Sequence, residues 1–208
     1  MNNKAKFIVF EGIDGAGKTT QINLLKNALE ERGIPCMTTA EPTDLPSGRE
    51  IRDALAGRTE KTAREMAEMF SVDRAIHNSH PEAGINPALE KGTSVISDRY
   101  YYSSLAYQGA ALGYETVAAL NLDRVDIRTP DICIFLDLTP EKSLERIGKR
   151  GAATEIYENF DYLTKTRKMF FDVFEKLKAR GEKIAIIDAS GSPEDIAERV
   201  LTAVLDIF

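Results

Sequence analysis

Short apolar runs alternate along this chain with longer segments in which an apolar residue recurs every three or four positions. The short runs are typical of strands buried on both faces of a parallel sheet, and there are five, at residues 7–10, 36–39, 94–97, 132–138 and 184–187. The periodic segments predict helices at 19–31, 62–78, 157–180 and 193–207. This alternation predicts an α/β fold of three layers, in which a five-stranded parallel sheet is flanked by helices.

The stretch between the second and third predicted strands, residues 41–93, is much longer than an ordinary connection. We expect it to carry several helices and to contribute to a substrate site. Because the 208 residues show no internal repeat, low-complexity tract or flexible linker, the chain is predicted to form a single domain, 1–208.

Composition narrows the classes of function. The 27 Lys and Arg residues against 33 Asp and Glu give a net charge of −6, which argues against a protein that grips nucleic acid with its whole surface. The N-terminal apolar run FIVF is too short for a signal peptide, and no run is long enough to span a membrane, so we expect a cytoplasmic protein without a membrane partner. Cys36 and Cys133 could in principle pair, but buried reduced thiols are the favoured interpretation.

The strongest motif is FIVFEGIDGAGKTTQ at residues 7–21, which matches the phosphate-loop pattern G-x-x-x-x-G-K-[ST] between a predicted strand and a predicted helix. Its glycines let backbone N–H groups approach phosphate oxygens, Lys18 would reach the β and γ phosphates, and the Thr19 hydroxyl would bind Mg²⁺. The predicted ATP-binding residues are Gly12, Ile13, Asp14, Gly15, Ala16, Gly17, Lys18, Thr19 and Thr20.

A phosphate loop alone does not name the reaction, because GTPases, motor ATPases and small-molecule kinases share it. The N-K-x-D base-reading motif of GTPases is absent from the sequence, and a nucleic-acid-driven ATPase would need basic surface. The sequence therefore favours a kinase that acts on a small acceptor.

Further blocks, in order along the chain, make this sequence similar to the thymidylate kinases, a family of P-loop nucleoside monophosphate kinases. The matching blocks are FEGIDGAGKTTQ at 10–21, EPT at 41–43, IRDAL at 51–55, MFSVDR at 69–74, DRYYYSSLAYQG at 98–109 and ERIGKRG from 145. The resemblance implies transfer of the γ-phosphoryl group of ATP to thymidine 5′-monophosphate (dTMP), with Mg²⁺ required. It also implies a homodimer, for which the helices within 98–126 are apolar enough.

The resemblance assigns roles on the acceptor side. Arg99 and Arg52 would bind the acceptor phosphate, with Arg49 able to share that role, and Asp98 would belong to the Mg²⁺ shell, either directly or through water. Phe70 would stack on the acceptor base. Arg74 would donate hydrogen bonds to O4 of thymine and oppose the amino group of cytosine, so we expect cytosine to be strongly rejected.

The remaining predicted substrate-binding residues are Asp14, Glu41, Ser103, Ser104, Tyr107 and Gln108. Tyr107 would lie near the sugar and crowd out a 2′-hydroxyl, while Ser104 and Gln108 would contact the base edge. Asp14 would contact the 3′-hydroxyl or Mg²⁺. The adjacent tyrosines 100–102 are expected to serve packing rather than chemistry, and His77 and His80 are expected to be surface or cap residues.

The basic segment at about 146–158 resembles the family's mobile lid. Some thymidylate kinases carry an arginine in the phosphate loop where this chain has Gly15, so the resemblance is to the subtype whose lid supplies the catalytic arginine. Arg146 and Arg150 are equal candidates, and Glu158 and Phe160 match the segment after the lid loosely.

Two rival interpretations of the function stay open. One is another nucleotide or deoxynucleoside kinase, and the other is a P-loop protein that binds nucleotide without acceptor chemistry.

Overall fold

A parallel five-stranded sheet forms the centre of the chain in the computed structural model, which describes residues 5–149 and 159–208. The strands are β1 (Phe7–Glu11), β2 (Cys36–Ala40), β3 (Ser94–Asp98), β4 (Ile132–Asp137) and β5 (Ile184–Asp188), and their order across the sheet is β2-β3-β1-β4-β5. This confirms the predicted fold class and all five predicted strands. In the register of the sheet Phe10 lies beside Asp98, so the carboxyl ends of β1 and β3 meet at one edge.

Helices cover both faces of the sheet. They are α1 (Lys18–Glu30), α2 (Pro46–Leu55), α3 (Ala63–Ser79), α4 (Ile85–Glu90), α5 (Tyr101–Tyr107), α6 (Gly109–Leu112), α7 (Tyr114–Asn121), α8 (Pro140–Lys149), α9 (Phe160–Ala179) and α10 (Pro193–Leu205). The four predicted helices are present with ends shifted by a few residues, and the predicted residues 157 and 158 lie outside the described part of the chain. The long connection 41–93 carries α2, α3 and α4, as predicted.

Two buried apolar clusters lie on opposite sides of the sheet, because alternate residues of a strand point to opposite faces. One cluster joins Phe7 of β1 to α5, α7 and α9, and the other joins Ile8 of β1 to α1 and α10. The tyrosines 100–102 are buried in the first cluster, which agrees with a packing role. The apolar side chains of 98–126 are largely used in the same packing.

The two cysteines lie in β2 and β4 with β3 and β1 between them, and both are free. Three strand spacings separate them by roughly 14 Å, which is too far for a disulfide. The prediction of reduced buried thiols is confirmed. Within residues 5–149 and 159–208, every helix is too short or too polar to cross a lipid bilayer.

Candidate functional site

The phosphate loop, residues 12–17, connects the end of β1 to the start of α1. Gly17, the residue before α1, has a φ of 97°, a left-handed conformation that glycine adopts without strain. Lys18 begins the helix and is only 8% exposed, and its Nζ donates a hydrogen bond of 3.2 Å to the carbonyl oxygen of Gly12. The loop backbone therefore wraps around this ammonium group at the positive end of α1.

Two cavities open beside this loop. The loop cavity, of about 530 Å³, is lined by Lys18 and Thr19 together with Arg52, Asp98 and Arg99. The aromatic cavity, of about 440 Å³, is lined by residues that include Phe70, Arg74, Tyr107, Gln108 and Tyr162. The two cavities share four wall residues, which are Asp14, Glu41, Pro42 and Arg99. They therefore form one continuous site that has Arg99 at its junction.

The structure brings the predicted site residues together around these cavities. All ten predicted substrate-binding residues line one cavity or both: Asp14, Glu41, Arg52, Phe70, Arg74, Arg99, Ser103, Ser104, Tyr107 and Gln108. Six of the nine predicted ATP-binding residues line the loop cavity: Asp14, Gly15, Gly17, Lys18, Thr19 and Thr20. The other three, Gly12, Ile13 and Ala16, are buried and are not among the described residues that line the cavity.

The Lys18 ammonium is held in a site that disfavours its charge. Burial lowers the pKa of Lys18 below its ordinary value, and the nearby Arg99 guanidinium lowers it further, whereas the carboxylates of Asp98, Asp14 and Glu11 act in the opposite direction. Phosphate oxygens in the loop cavity would stabilise the charged form of Lys18 further. The buried ammonium group is thus placed to bind an anion.

Arg99 occupies an unusual backbone conformation, with a φ of 71°. Its Nη2 donates a hydrogen bond of 2.6 Å to Asp14 Oδ1, and its Nη1 donates one of 3.0 Å to Ser103 Oγ. Burial alone would lower the pKa of Arg99, but Tyr107, Asp14, Glu11 and Asp98 raise it above its ordinary value. The guanidinium therefore stays charged at the junction of the two cavities.

Glu11 supports this arrangement and was missed in the sequence. Its fully buried carboxylate accepts hydrogen bonds from the backbone N–H groups of Tyr100, at 3.0 Å, and Ser103, at 3.1 Å, and from the Ser103 hydroxyl, at 2.7 Å. Burial raises the pKa of Glu11, while Arg99 and these hydrogen bonds lower it, and the net direction is upward. The signal that could have identified it is a carboxylate at the end of the apolar strand FIVFE.

The two arginines proposed near the acceptor phosphate differ in placement. Arg52 lines the loop cavity, where its Nη1 donates to the carbonyl oxygen of Pro42 at 2.8 Å and its Nη2 to Asp44 Oδ1 at 3.1 Å. Arg49 is exposed, donates to the backbone oxygen of Asp44 at 3.1 Å, and is not among the described residues that line either cavity. The structure therefore favours Arg52.

Arg74 forms a fixed wall of the aromatic cavity and is 1% exposed. Its Nε donates to Glu41 Oε2 at 2.8 Å, its Nη2 to Ser104 Oγ at 3.2 Å, and its Nη1 to Asn121 Oδ1. The guanidinium also lies over the Tyr100 ring, 5.2 Å from its centroid. These contacts leave Arg74 little freedom to turn, so its guanidinium is a fixed part of the cavity wall that also contains Phe70.

The prediction for His77 was wrong. The side chain is 2% exposed, with Nδ1 3.0 Å from Glu41 Oε1 and Nε2 2.8 Å from Thr39 Oγ1. It is buried because α3 turns the stripe that contains Ser71, Arg74 and His77 towards the sheet. His80 is a cap residue, as predicted, since its Nδ1 accepts from the backbone of residues 82 and 83.

Helix α8, which leads into the predicted lid, packs directly on the phosphate loop. The buried Ser143 hydroxyl donates to the carbonyl oxygen of Asp14, and the Arg146 Nη2 donates to the carbonyl oxygen of Ala189 at 2.9 Å. Arg146 Nη1 also lies 3.4 Å from the Ala16 carbonyl oxygen. Arg150 and Glu158 lie outside the described residues, and Phe160 is the first residue of α9.

The donor set at the mouth of the loop cavity fits Mg²⁺. Asp98 Oδ1 is buried and has no hydrogen-bond partner among the described residues, and it lines the same cavity as Thr19. A carboxylate and a hydroxyl oxygen are ligands that Mg²⁺ accepts alongside phosphate oxygens and water. Elsewhere in the described chain no group of three or more His, Cys, Asp or Glu residues could hold a metal ion.

Comparisons with known proteins agree with this geometry. A family model described as thymidylate kinase matches residues 10–200. A probable thymidylate kinase of Thermococcus gammatolerans is 41% identical over 198 residues, which cover 91% of each chain. A thymidylate kinase of Leptospira borgpetersenii is 36% identical over 206 residues, covering 99% of this chain and 96% of that one, and one of Desulfotalea psychrophila is 39% identical over 170 residues, covering 81% and 82%.

Proposed function

Because the chain belongs to the thymidylate kinase family, we propose that it transfers the γ-phosphoryl group of ATP to dTMP, forming thymidine 5′-diphosphate and ADP. One observation carries this proposal: a phosphate-loop cavity and an aromatic cavity share a wall at Arg99. A donor bound in the first cavity and a nucleotide bound in the second would bring their phosphates together beside this guanidinium.

The reaction needs positioning more than proton removal. A phosphate monoester has a second pKa near 6, so the acceptor is already mostly a dianion at neutral pH and needs no general base. The barrier comes from bringing two anions together, and fixed cations reduce it. In the described part of the chain these cations would be Lys18, Arg52 and Arg99. The lid segment would add Arg146 or Arg150. We propose direct in-line transfer, without a phosphorylated enzyme.

Thr19 and Asp98 would hold Mg²⁺ beside the phosphates of ATP, and the unpartnered Asp98 Oδ1 supports this assignment. When bound, the ion would neutralise charge on the phosphate oxygens of the donor. Asp98 ends β3 directly before Arg99, so one strand end would supply both a metal ligand and a phosphate ligand.

Selectivity for the acceptor would come from the aromatic cavity. Phe70 would stack on the base, and the Arg74 guanidinium would donate to the O4 carbonyl of thymine, whereas it would leave the amino group of cytosine unpaired. Tyr107 lines the same cavity, and its ring lies 5.7 Å from the Arg99 guanidinium carbon, which supports a place beside the sugar.

Coupled ADP release with ATP and Mg²⁺ tests the proposal directly. The acceptors would be dTMP, dUMP, dCMP, UMP, AMP, shikimate and thymidine, one in each reaction. We expect fast turnover of dTMP, slower turnover of dUMP and negligible turnover of dCMP. Turnover of thymidine instead of dTMP would support a deoxynucleoside kinase, and nucleotide binding without acceptor-dependent ADP release would support a binding protein.

The resemblance also implies a homodimer, and the apolar pattern of the sequence predicts a cytoplasmic location; both stay predictions. Most apolar residues of 98–126 pack within the chain, whereas Val125 is exposed, and so are Val72 and Ile76, which lie one turn apart on α3. Light scattering on the purified protein would measure the oligomeric state.

A further inference from the structure

We propose that His77 is a positioning residue of the aromatic cavity, which fixes the Glu41 carboxylate that in turn orients the Arg74 guanidinium. This inference rests on the proposed function, because it assumes that the acceptor base binds against Phe70 and Arg74. His77 lies outside the described lining of both cavities, so it would act through Glu41 rather than by touching substrate.

The two partners of His77 determine which ring nitrogen carries the hydrogen in the neutral imidazole. An ionised carboxylate only accepts hydrogen bonds, so the Nδ1 atom that faces Glu41 Oε1 at 3.0 Å must carry a hydrogen. The Nε2 atom is 2.8 Å from Thr39 Oγ1 and accepts from that hydroxyl when the ring is neutral. A neutral imidazole in this tautomer therefore satisfies both neighbours.

The Glu41 carboxylate connects the imidazole to the guanidinium through its two oxygens. Oε1 faces His77, while Oε2 accepts from Arg74 Nε at 2.8 Å and lies 2.7 Å from Arg74 Nη2. All three side chains are at most 2% exposed, so water does not compete for these contacts. Rotation of the carboxylate would break a contact at each end, and a buried charge left unpaired is costly.

Glu41 follows β2 and lies in the wall that the two cavities share, whereas Arg74, which it orients, lines the aromatic cavity but is not in the described lining of the loop cavity. Misdirection of Arg74 should therefore affect the acceptor rather than ATP. The segment after Glu41 is held on α3 by Asp73, which accepts hydrogen bonds from the Thr43 backbone N–H, at 2.9 Å, and from the hydroxyls of Thr43 and Ser47, at 2.6 Å each. Asp73 and His77 are one helical turn apart, so α3 holds this segment at two points.

Substitutions at position 77 separate positioning from packing. His77→Leu replaces the ring by an apolar side chain of similar size and so removes both hydrogen-bonding atoms. His77→Asn places an amide N–H group near the position of Nδ1, within reach of Glu41, whereas His77→Gln places it near Nε2, towards Thr39. We expect the KM for dTMP to rise about tenfold in His77→Leu and His77→Gln, with the KM for ATP within about twofold of the wild type. His77→Asn should recover most of the loss.

The ratio of kcat/KM for dTMP over dCMP provides a second measurement. If Arg74 is misdirected, this ratio should fall in His77→Leu and His77→Gln and return in His77→Asn. Thr39→Val is the matched control, because it removes the other partner of the ring and leaves the Glu41 contact in place, so its KM for dTMP should stay near the wild-type value. Thermal unfolding of each variant identifies any that does not fold.

Several outcomes would overturn the inference. These are an unchanged KM for dTMP in His77→Leu and His77→Gln, equal rises in the KM for dTMP and for ATP, or a failure of His77→Asn to exceed His77→Gln. The Asn and Gln pair decides the matter even if His77→Leu fails to fold. Absence of dTMP turnover by the wild-type protein would count against the proposed function instead, so the two failures are distinguishable.

Discussion

Arg99 holds a left-handed backbone conformation, with a φ of 71°, which costs a residue other than glycine about 1–3 kcal/mol. The surrounding structure fixes this conformation at both backbone atoms, because the Arg99 N–H donates to the Phe10 carbonyl oxygen at 2.9 Å and its carbonyl oxygen accepts from the Ser97 hydroxyl at 2.8 Å. The result is a guanidinium directed between Asp14 and Ser103. The strained backbone of Arg99 thus places its guanidinium at the junction of the two cavities.

Arg52 and Arg49 provide a matched pair, since both contact Asp44 but only Arg52 is in the described lining of the loop cavity. We expect Arg52→Ala to lower kcat/KM for dTMP by about 10- to 100-fold, the range for a lost hydrogen bond to a charged group. Arg49→Ala should stay within about twofold of the wild type. Steady-state kinetics with both variants measures this, and equal losses would contradict the assignment of the acceptor phosphate to Arg52.

Sequence reasoning found the residues of this site that lie in recognisable blocks, such as Lys18 and Arg99. It missed residues whose role depends on a distant partner. Glu11 meets Ser103, 92 positions away, and His77 meets Glu41, 36 positions away. The carboxylate that ends FIVFE is a local signal for Glu11, but no local signal names the partner of either residue, because only the assembled sheet brings β1 beside β3 and α3 beside the end of β2.

At the scale of elements, Glu11 connects the strand before the phosphate loop to the helix after Arg99. Tyr100, the residue directly before α5, provides no side-chain cap for the helix. The Glu11 carboxylate accepts hydrogen bonds from the N–H groups of Tyr100 and Ser103 instead. This contact satisfies donors that the helix start would otherwise leave unpaired. It also fixes the Ser103 hydroxyl, which accepts from Arg99.

Glu11→Gln should therefore affect catalysis through Arg99. The amide N–H group that replaces one carboxylate oxygen cannot accept from the Ser103 hydroxyl, so we expect kcat/KM for dTMP to fall about tenfold. Glu182→Gln is the control, because Glu182 accepts from the hydroxyls of Tyr101 and Tyr102 on the same helix but lies outside the described cavity walls. Kinetics and thermal unfolding of both variants test this. A loss of activity in Glu182→Gln as large as that in Glu11→Gln would point to general weakening of α5.

The strands and long helices could be predicted because their apolar patterns are local. A strand buried on both faces is an apolar run, and α3, α9 and α10 are long enough to show several helical periods. The short helices between β3 and β4 are different, since α6 has four residues and α5 seven. Fewer than two helical turns give no clear period, so tertiary packing defines them, with α5 against α9 and α6 against α5 and α7.

At the scale of the whole molecule, the excess of acidic residues is not repeated in the loop cavity. The chain carries a net charge of −6, yet the cavity wall balances three carboxylates with three cations, which are Lys18, Arg52 and Arg99. Three fixed cations in one wall attract an anionic ligand at close range even on an acidic protein, and Mg²⁺ bound at Asp98 would add positive charge. The acidic total argues against a nucleic-acid partner but is compatible with nucleotide substrates.

The phosphate loop and α8 meet although they are far apart in sequence, and Gly15 lies at one of their contacts, beside the hydrogen bond from Ser143 to Asp14. Its φ is 78°, and a Cβ there would lie 2.9 Å from the Ser143 carbonyl oxygen and 3.1 Å from its hydroxyl. An arginine at this position, as in the other subtype of the family, would therefore collide with α8. The absence of a side chain at Gly15 therefore allows α8, the helix before the predicted lid, to pack against the loop.

Substitution of glycine by alanine tests this coupling. Gly57 is the matched control, because its φ of 71° imposes a similar left-handed strain but a Cβ there meets no described atom within 4 Å. Gly57→Ala should cost about 1–2 kcal/mol of unfolding free energy from the backbone alone. Gly15→Ala should cost about 1–3 kcal/mol more, since an overpacked contact adds to the same strain. Urea unfolding measures both, and equal losses would mean that α8 yields easily and that the loop tolerates a side chain at position 15.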